Sequence, residues 1–387
     1  MTCLPDGAES QQDDRTDMTD AIEAVETRLI ESPIRAARSQ GSGSVSKSVR
    51  RIIVRIATRD GAEGWGEAAP WAPFGNTAET TLVAIVSTLR PALLGGDPAA
   101  ISLRMQDCAK AIAGHPEAKA AVEMALWDIA GKRAGLPLVA MLGGAVTAAI
   151  PLSFSIADPD FAADLERAKA MWAEGHRIFK VKTGFAGHAE DLRRLEALRA
   201  ALPQADLRVD YNQGLGPLDA IRTLRDIEAF RPTFIEQPVP RGQEAVMTAI
   251  AAALDTPLMA DESIYSPAEM LAGAQARIAG CVSIKLMKCG GIGPARMIDA
   301  IAGTAGWATY GGTLWEGGIA LAAAAHFIAA SPHATLGCEF YMPSLALVED
   351  VASGMTAGAG TIRLPPGPGL GVTVDQAVIR RQTVADA

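Results

Sequence analysis

The spacing of apolar residues changes character along the chain. Between residues 20 and 144, AIEAVETRLIES and VRRIIVRIATRDGAEGWGEAA place apolar side chains at alternate positions, the period of half-buried antiparallel strands. Asp60-Gly61, inside the second run, supplies a hairpin turn. Helical spacing follows in TAETTLVAIVSTLRPALL and ISLRMQDCAKAIAG. It is strongest in PEAKAAVEMALWDIAGKRAG, which stops at Gly135 with Arg133 in its last turn.

Beyond MLGGAV, apolar runs of strand length alternate with helical stretches. The runs are IPLSFSIA, RIFKVKTGF, LRVDYNQG, TFIEQPVP, PLMADES, CVSIKLMK, WATYGGTLW and ATLGCEFY. The helices between them include DLRRLEALRAAL, DAIRTLRDIEAF and PARMIDAIAGTAG. Strand after strand with a helix or turn between predicts a closed parallel sheet. The fold expected is α/β: a modified TIM (β/α)7-8 barrel over residues 145–352, with an N-terminal α+β capping domain over 20–144. A C-terminal segment over 353–387 has strand character in GTIRLPPGPGLGVTVD and is expected to return to the capping domain. Residues 1–19 read as a disordered tail, with Met18 as an alternative start.

Polar residues punctuate the strand ends. Lys182, Asp210, Glu236, Asp261 and Lys285 recur once per βα unit at a nearly constant interval, which puts all five at the C-terminal rim of the barrel. Three carboxylates on neighbouring strands repel one another unless a cation joins them. An all-oxygen set suits Mg²⁺ or Mn²⁺, so Asp210, Glu236 and Asp261 are expected to hold one divalent cation per subunit. The bland alternative for Asp261 is a cap on the segment that follows it.

Lys180 and Lys182 lie two apart on strand two and so share a face. Lys285 on strand six faces them across the axis. An amine on each side of a metal-held carboxylate suits removal of a proton from the adjacent carbon, provided nearby positive charge lowers a lysine pKa. Asn212, two residues past Asp210, is a candidate partner of the metal site or of Lys180. Glu262 is expected to orient a lysine. Lys288 reads as a loop lysine. No histidine falls at a strand end, and CGGIG lacks a dinucleotide fingerprint.

Bulk properties narrow the partners. A net charge of −9 and pI near 5.2 argue against nucleic acid. Five cysteines without a C-x-x-C pair argue for a reducing, cytoplasmic setting and against a disulfide scaffold. GIALAAAAHFIAA is too short to span a bilayer and reads as a buried helix. The capping domain offers two lid segments. Residues 33–47 are Gly/Ser-rich and carry Arg35 and Arg38; Arg35 is the candidate for a distal substrate carboxylate. Residues 68–77 carry Trp71 and Phe74, which together with Trp315 would wall the pocket.

FKVK, VDYNQ, IEQP, MADES, IKLMKCGGI and YGGTLWEGG…LGCEFY…VED occur in that order, flanked by GWGEAAP and GPGLGVTVD. In these pieces the chain resembles the enolase superfamily and, within it, the muconate lactonizing enzyme subgroup. The resemblance implies Lys182 as principal acid/base, Lys180 as its tuner, and Lys285 as the opposite acid/base or cation. It also implies Glu339 as a strand-eight carboxylate kept in muconate cycloisomerases, a small carboxylate substrate, and a homo-oligomer. The activity it implies first is cycloisomerisation of cis,cis-muconate to muconolactone, in aromatic catabolism. Racemases of N-acyl amino acids, dipeptide epimerases, o-succinylbenzoate synthases and acid dehydratases share this machinery. Strand eight, GCEFYMP, lacks the Asp-x-Asp of dipeptide epimerases. It also departs from the muconate enzymes: Cys338 replaces Thr, and FYMP replaces Phe-Gly-Pro. A metal-binding barrel without catalysis is the alternative from another class.

Overall fold

The computed structural model describes residues 20–40, 43–158, 160–340 and 342–386, so the tail expected over 1–19 lies outside the described residues. The alternating runs form an antiparallel meander, Ile22–Pro33, Ser48–Thr58 and Glu63–Ala68. The hairpin closes at Gly61, whose φ of 86° suits a residue without Cβ. One face of this sheet carries the helix Pro116–Ala134, which begins with proline and ends on left-handed Gly135. The two meet backbone to backbone. A Cβ on Gly66 would lie 1.8 Å from the Ala121 carbonyl oxygen, and one on Gly64 would lie 2.1 Å from that of Ala125.

The C-terminal segment returns to this sheet. Thr383–Asp386 pairs with Ile22–Pro33 on the edge opposite Glu63–Ala68, directly after the helix Gln376–Gln382.

Seven parallel strands follow one another around the barrel in chain order: Ser153–Ile156, Ile178–Lys182, Asp206–Asp210, Ile235–Glu236, Leu258–Ala260, Cys281–Ile284 and Ala308–Gly311. The expected eighth strand shrinks to one residue. Cys338 bridges both Gly311 and Leu152, and so closes the ring. Gly337 explains the shortening: its φ of 72° is incompatible with a strand, and a Cβ there would meet the Pro151 carbonyl oxygen at 2.4 Å. The first run, IPLSFSIA, also divides. Ile150–Pro151 pairs with Thr361–Arg363, and only Ser153–Ile156 enters the barrel.

Below the rim the barrel axis is filled by Phe234, Met259, Cys281 and Tyr310. GIALAAAAHFIAA forms the helix Gly318–Ala330, buried over nearly its whole length. Among the described residues, no helix is long and apolar enough to cross a membrane.

Candidate active site

Strand geometry delivers the charged residues to one place. In Ile178–Lys182 the side chains of Phe179 and Val181 join the main apolar core. Lys180 and Lys182 therefore point the other way, into the barrel. Lys182 pairs in register with Asp210, and Asp210 with Glu236. Glu236 is level with Met259, two residues short of Asp261, and Lys285 follows the end of its own strand, so the row climbs with the stagger of a barrel. All five residues predicted at the rim come together there, and all are buried.

Their contacts form one network. Lys182 Nζ donates to Asp210 at 2.5 Å. Lys180 Nζ lies 2.7 Å from Glu236 and 3.0 Å from Asp210, and donates to Glu339. Lys285 Nζ donates to Asp261 Oδ2 at 2.6 Å. Lys288 is not a loop lysine. It is 2% exposed, on the short helix Leu286–Cys289, and its ammonium donates to Asp261 Oδ1 at 2.8 Å, to the Asp261 carbonyl at 2.6 Å and to the Ser283 carbonyl at 2.9 Å. The one-turn spacing of Lys285 and Lys288 in KLMK was the available signal, but only the fold shows that both meet one carboxylate.

The charges are strongly unequal in their surroundings. Burial raises the Glu236 carboxyl, and nearby Asp210 adds to the effect, taking it up to about 8. Burial, with Asp261 beside it, takes Glu262 up to about 7. Asp210 and Asp261 go the other way, because facing lysines outweigh their burial. Burial alone would depress Lys180 and Lys285, but the acids around them hold both ammonium groups above the usual range. The expected depressed lysine pKa is thus not met at Lys180 or Lys285 by the protein's own groups. Each ammonium is held by carboxylates, and a low amine pKa needs a further positive charge on those same oxygens.

Orphaned buried oxygens test whether a cation suits this site. Glu236 Oε1 and the Asn212 side-chain oxygen are buried without a hydrogen bond, Glu236 Oε2 has only the Lys180 ammonium beside it at 2.7 Å, and no other residue donates to either oxygen of Glu262. Buried carboxylate oxygens of this kind require a cation or a proton. The available donors are all oxygen, which fits a hard dication. Among the described residues, no three acid, imidazole or thiol side chains stand at metal-binding separations as they are. The Lys180 ammonium lies within contact of both Asp210 and Glu236, so it already uses the oxygens that such a grouping would share.

The remaining predicted residues divide. Asn212, with a left-handed φ of 42°, donates its backbone N–H to Asp210 Oδ1 at 2.8 Å and makes no bond to Lys180. Glu262 orients no lysine through a hydrogen bond; the Lys285 ammonium acts on it through its charge alone. Glu339 sits against Lys180 and 3.9 Å from Lys182.

Trp71, Phe74 and Trp315 line a small cavity with Lys182, Lys285, Asn212 and Glu339. Trp71 stacks on Trp315 at 6.1 Å between ring centroids, and Phe74 on Tyr265 at 6.1 Å, while the Lys285 ammonium lies 4.9 Å from the Phe74 centroid. Arg35 is a correction. It reaches the Val348 carbonyl at 3.4 Å and lines none of this cavity, because its strand end is tied to residues 346–348. Arg38, three residues on, takes the place at the cavity and donates to Ser155 Oγ at 2.9 Å. Ser155, Thr313 and Leu314 also line it; Thr313 and Leu314 fall in the YGGTLWEGG motif without having been singled out, and nothing in the sequence had marked Ser155.

A lysine-flanked cluster of acids at the C-terminal rim of a barrel, under a capping domain, defines an enzyme of carbon-acid chemistry. The comparisons make this specific. Residues 21–143 match the mandelate racemase / muconate lactonizing enzyme N-terminal domain family, and residues 163–378 match the enolase C-terminal domain-like family. The chain belongs to the mandelate racemase / muconate lactonizing enzyme family of the enolase superfamily.

It is 36% identical to an L-Ala-D/L-Glu epimerase of Bacillus subtilis (strain 168), over 83% of this chain and 88% of that protein. It is 31% identical to a chloromuconate cycloisomerase of Cupriavidus necator, over 94% of this chain and 99% of that protein. A crystal structure of a muconate cycloisomerase from Azorhizobium caulinodans superposes with a TM-score of 0.84 at 48% identity, covering 94% of this chain and 99% of that one. The barrel-plus-cap expectation and the family resemblance are both borne out. Enzymes of this family generally use a divalent metal.

Proposed function

We propose that this chain converts cis,cis-muconate, or a substituted muconate, to the corresponding muconolactone, with one Mg²⁺ or Mn²⁺ per subunit. The observation that carries the reading is that Lys182 and Lys285, from the second and sixth barrel strands, line one cavity beside Asp210, Glu236 and Asp261. Those three acids would hold the cation, which when bound supplies charge stabilisation to a substrate carboxylate.

The chain's own residues do the rest. One substrate carboxylate oxygen adds across the diene, closing a C–O bond as a π bond opens. The displaced electron pair settles on the other carboxylate as an enediolate. The Lys182 ammonium gives its proton to the α carbon and is reloaded from solvent, so the dianion gains one proton overall. Lys285 keeps a positive charge on the opposite side. Lys180, paired with Glu236, Asp210 and Glu339, holds a positive field behind Lys182. Trp71, Phe74 and Trp315 exclude water, and Arg38 stands at the cavity for a distal carboxylate.

Epimerisation of a dipeptide or an N-acyl amino acid is the second reading, favoured by the 36% identity to an epimerase. Lys182 and Lys285 would then exchange the α proton from opposite faces. Against the dipeptide, the strand-eight sequence offers the single acid Glu339, already engaged by Lys180, and no acid pair for a substrate ammonium; an N-acyl amino acid has none to hold.

The direct assay is loss of muconate absorbance on adding enzyme with Mg²⁺ or Mn²⁺. Turnover of N-acyl amino acids or dipeptides with none of muconate overturns the leading reading. Failure to exchange any α proton in heavy water, across a broad panel of acids, points to a barrel that binds metal without catalysis. The reading extends to a homo-oligomer in the cytoplasm, which light scattering and fractionation test.

A further inference from the structure

Three cavity-lining residues, Thr313, Leu314 and Trp315, lie on the loop between the seventh strand and the helix Gly318–Ala330. A loop without regular structure makes a poor wall unless something fixes it. Both of its ends are fixed. Gly312 N–H donates to the Ile284 carbonyl at 3.0 Å, and Thr313 Oγ1 to the Glu339 carbonyl at 3.1 Å. At the far end Gly317 N–H and Ala320 N–H donate to the carboxylate of Glu67 at 2.7 and 3.1 Å. Glu67 belongs to the capping sheet and is itself held by Arg51 at 2.6 Å, with both side chains fully buried. Only glycine fits at position 317, because a Cβ would lie 1.7 Å from the Arg51 guanidinium.

Between these anchors stands Glu316, 6% exposed, whose Oε2 accepts the Leu314 N–H. Its side chain folds back two residues and closes a tight turn with Trp315 at the apex, where Trp315 stacks on Trp71. Glu316 does not line the cavity. Burial takes this carboxyl up to about 8, and the proposed chemistry gives it no part. What it accomplishes where it stands is to fix the turn.

We propose that Glu316 is a positioning residue whose buried carboxylate pins the Leu314–Trp315 wall and so sets which acids the cavity admits. This rests on reading the cavity as the substrate site. The test compares Glu316→Gln, which keeps an acceptor for Leu314 N–H, with Glu316→Leu, which does not. Two readouts are used: KM and kcat on muconate and a panel of related acids, and the circular-dichroism couplet of the stacked indoles, identified by its loss in Trp71→Phe.

The expected result is a couplet and KM near wild type for Glu316→Gln. For Glu316→Leu, the couplet is lost and KM rises about tenfold with a smaller change in kcat, as for one buried N–H left without its acceptor. A Glu316→Leu protein with wild-type couplet and KM overturns the proposal. So does a Glu316→Gln protein as impaired as Glu316→Leu, since the charge and not the turn would then matter. Should Glu316→Leu fail to fold, Glu316→Ala takes its place in both measurements. If the wild type turns over none of the acids, the proposed function fails, while the couplet still decides the role of Glu316.

Discussion

Glu123 offers a quantitative test of how the capping domain grips the barrel. It sits on the helix Pro116–Ala134, 3% exposed, and accepts the Gly293 N–H at the start of the barrel helix Ile292–Thr304, at 3.0 and 3.3 Å to its two oxygens. The approach is so close that a Cβ on Gly291 would lie 1.8 Å from its Oε2. Burial pushes this carboxyl from 4.5 up to about 7, against the downward pull of the N–H donors. The folded state thus binds the proton more tightly than the unfolded chain. Its stabilisation is complete below about pH 4.5 and is lost as pH rises through about 7. At about 1.4 kcal/mol per unit, the shift corresponds to about 3 kcal/mol. Glutamine keeps an acceptor for Gly293 and does not titrate. Thermal unfolding of wild type and Glu123→Gln at about pH 5 and about pH 8 should therefore show the variant gaining on wild type by about 2.5 kcal/mol at the higher pH. Parallel pH profiles would refute the reasoning, because the carboxyl would then titrate alike in both states.

Three further predictions concern the site and its support. Lys182→Ala and Lys285→Ala should each lower turnover by about 10²-fold or more, with metal content unchanged; a fully active variant removes that lysine from its assigned role. Asp210→Asn, Glu236→Gln and Asp261→Asn should each reduce bound Mg²⁺ or Mn²⁺ in metal analysis of the purified protein, and unchanged content in all three sinks the ligand assignment. Gly66→Ala should destabilise by about 3 kcal/mol or more, read as a lowered unfolding midpoint, because its Cβ would lie 1.8 Å from the Ala121 carbonyl oxygen and the strand carrying Glu67 would have to move. An unchanged midpoint would mean that the helix and sheet are not in backbone contact.

Much of this architecture was legible in one dimension. Period-two runs and their intervening helices announced the barrel, and a polar residue at each strand end announced the rim, because strand period and βα length are local properties. Lys182, Asp210 and Glu236 fall in direct cross-strand register, so their meeting follows once the strands are placed. What the sequence could not decide depended on packing between distant segments. ATLGCEFY had the look of a strand, yet Gly337 turns it after Pro151, and a single residue closes the barrel. Arg35 and Arg38 share one lid segment, and the choice of Arg35 failed because residues 346–348 claim it while Arg38 reaches Ser155 at the cavity.

Lys288 looked like a surface residue because its partners, Asp261 and Ser283, lie on other turns of the chain. Glu67 and Glu316 fall inside GWGEAAP and YGGTLWEGG, but nothing in those runs told what they hold, and Glu123 reads as one more residue of a helix. A buried carboxylate is defined by the donors that reach it; for Glu67 and Glu123 those belong to helices and turns far away in sequence, and for Glu316 to its own turn. The pattern of apolar and charged positions determined which residues face the barrel mouth. Only the tertiary structure decided which charges touch, because Coulomb and hydrogen-bond energies depend on separations of a few ångströms that no spacing along the chain specifies.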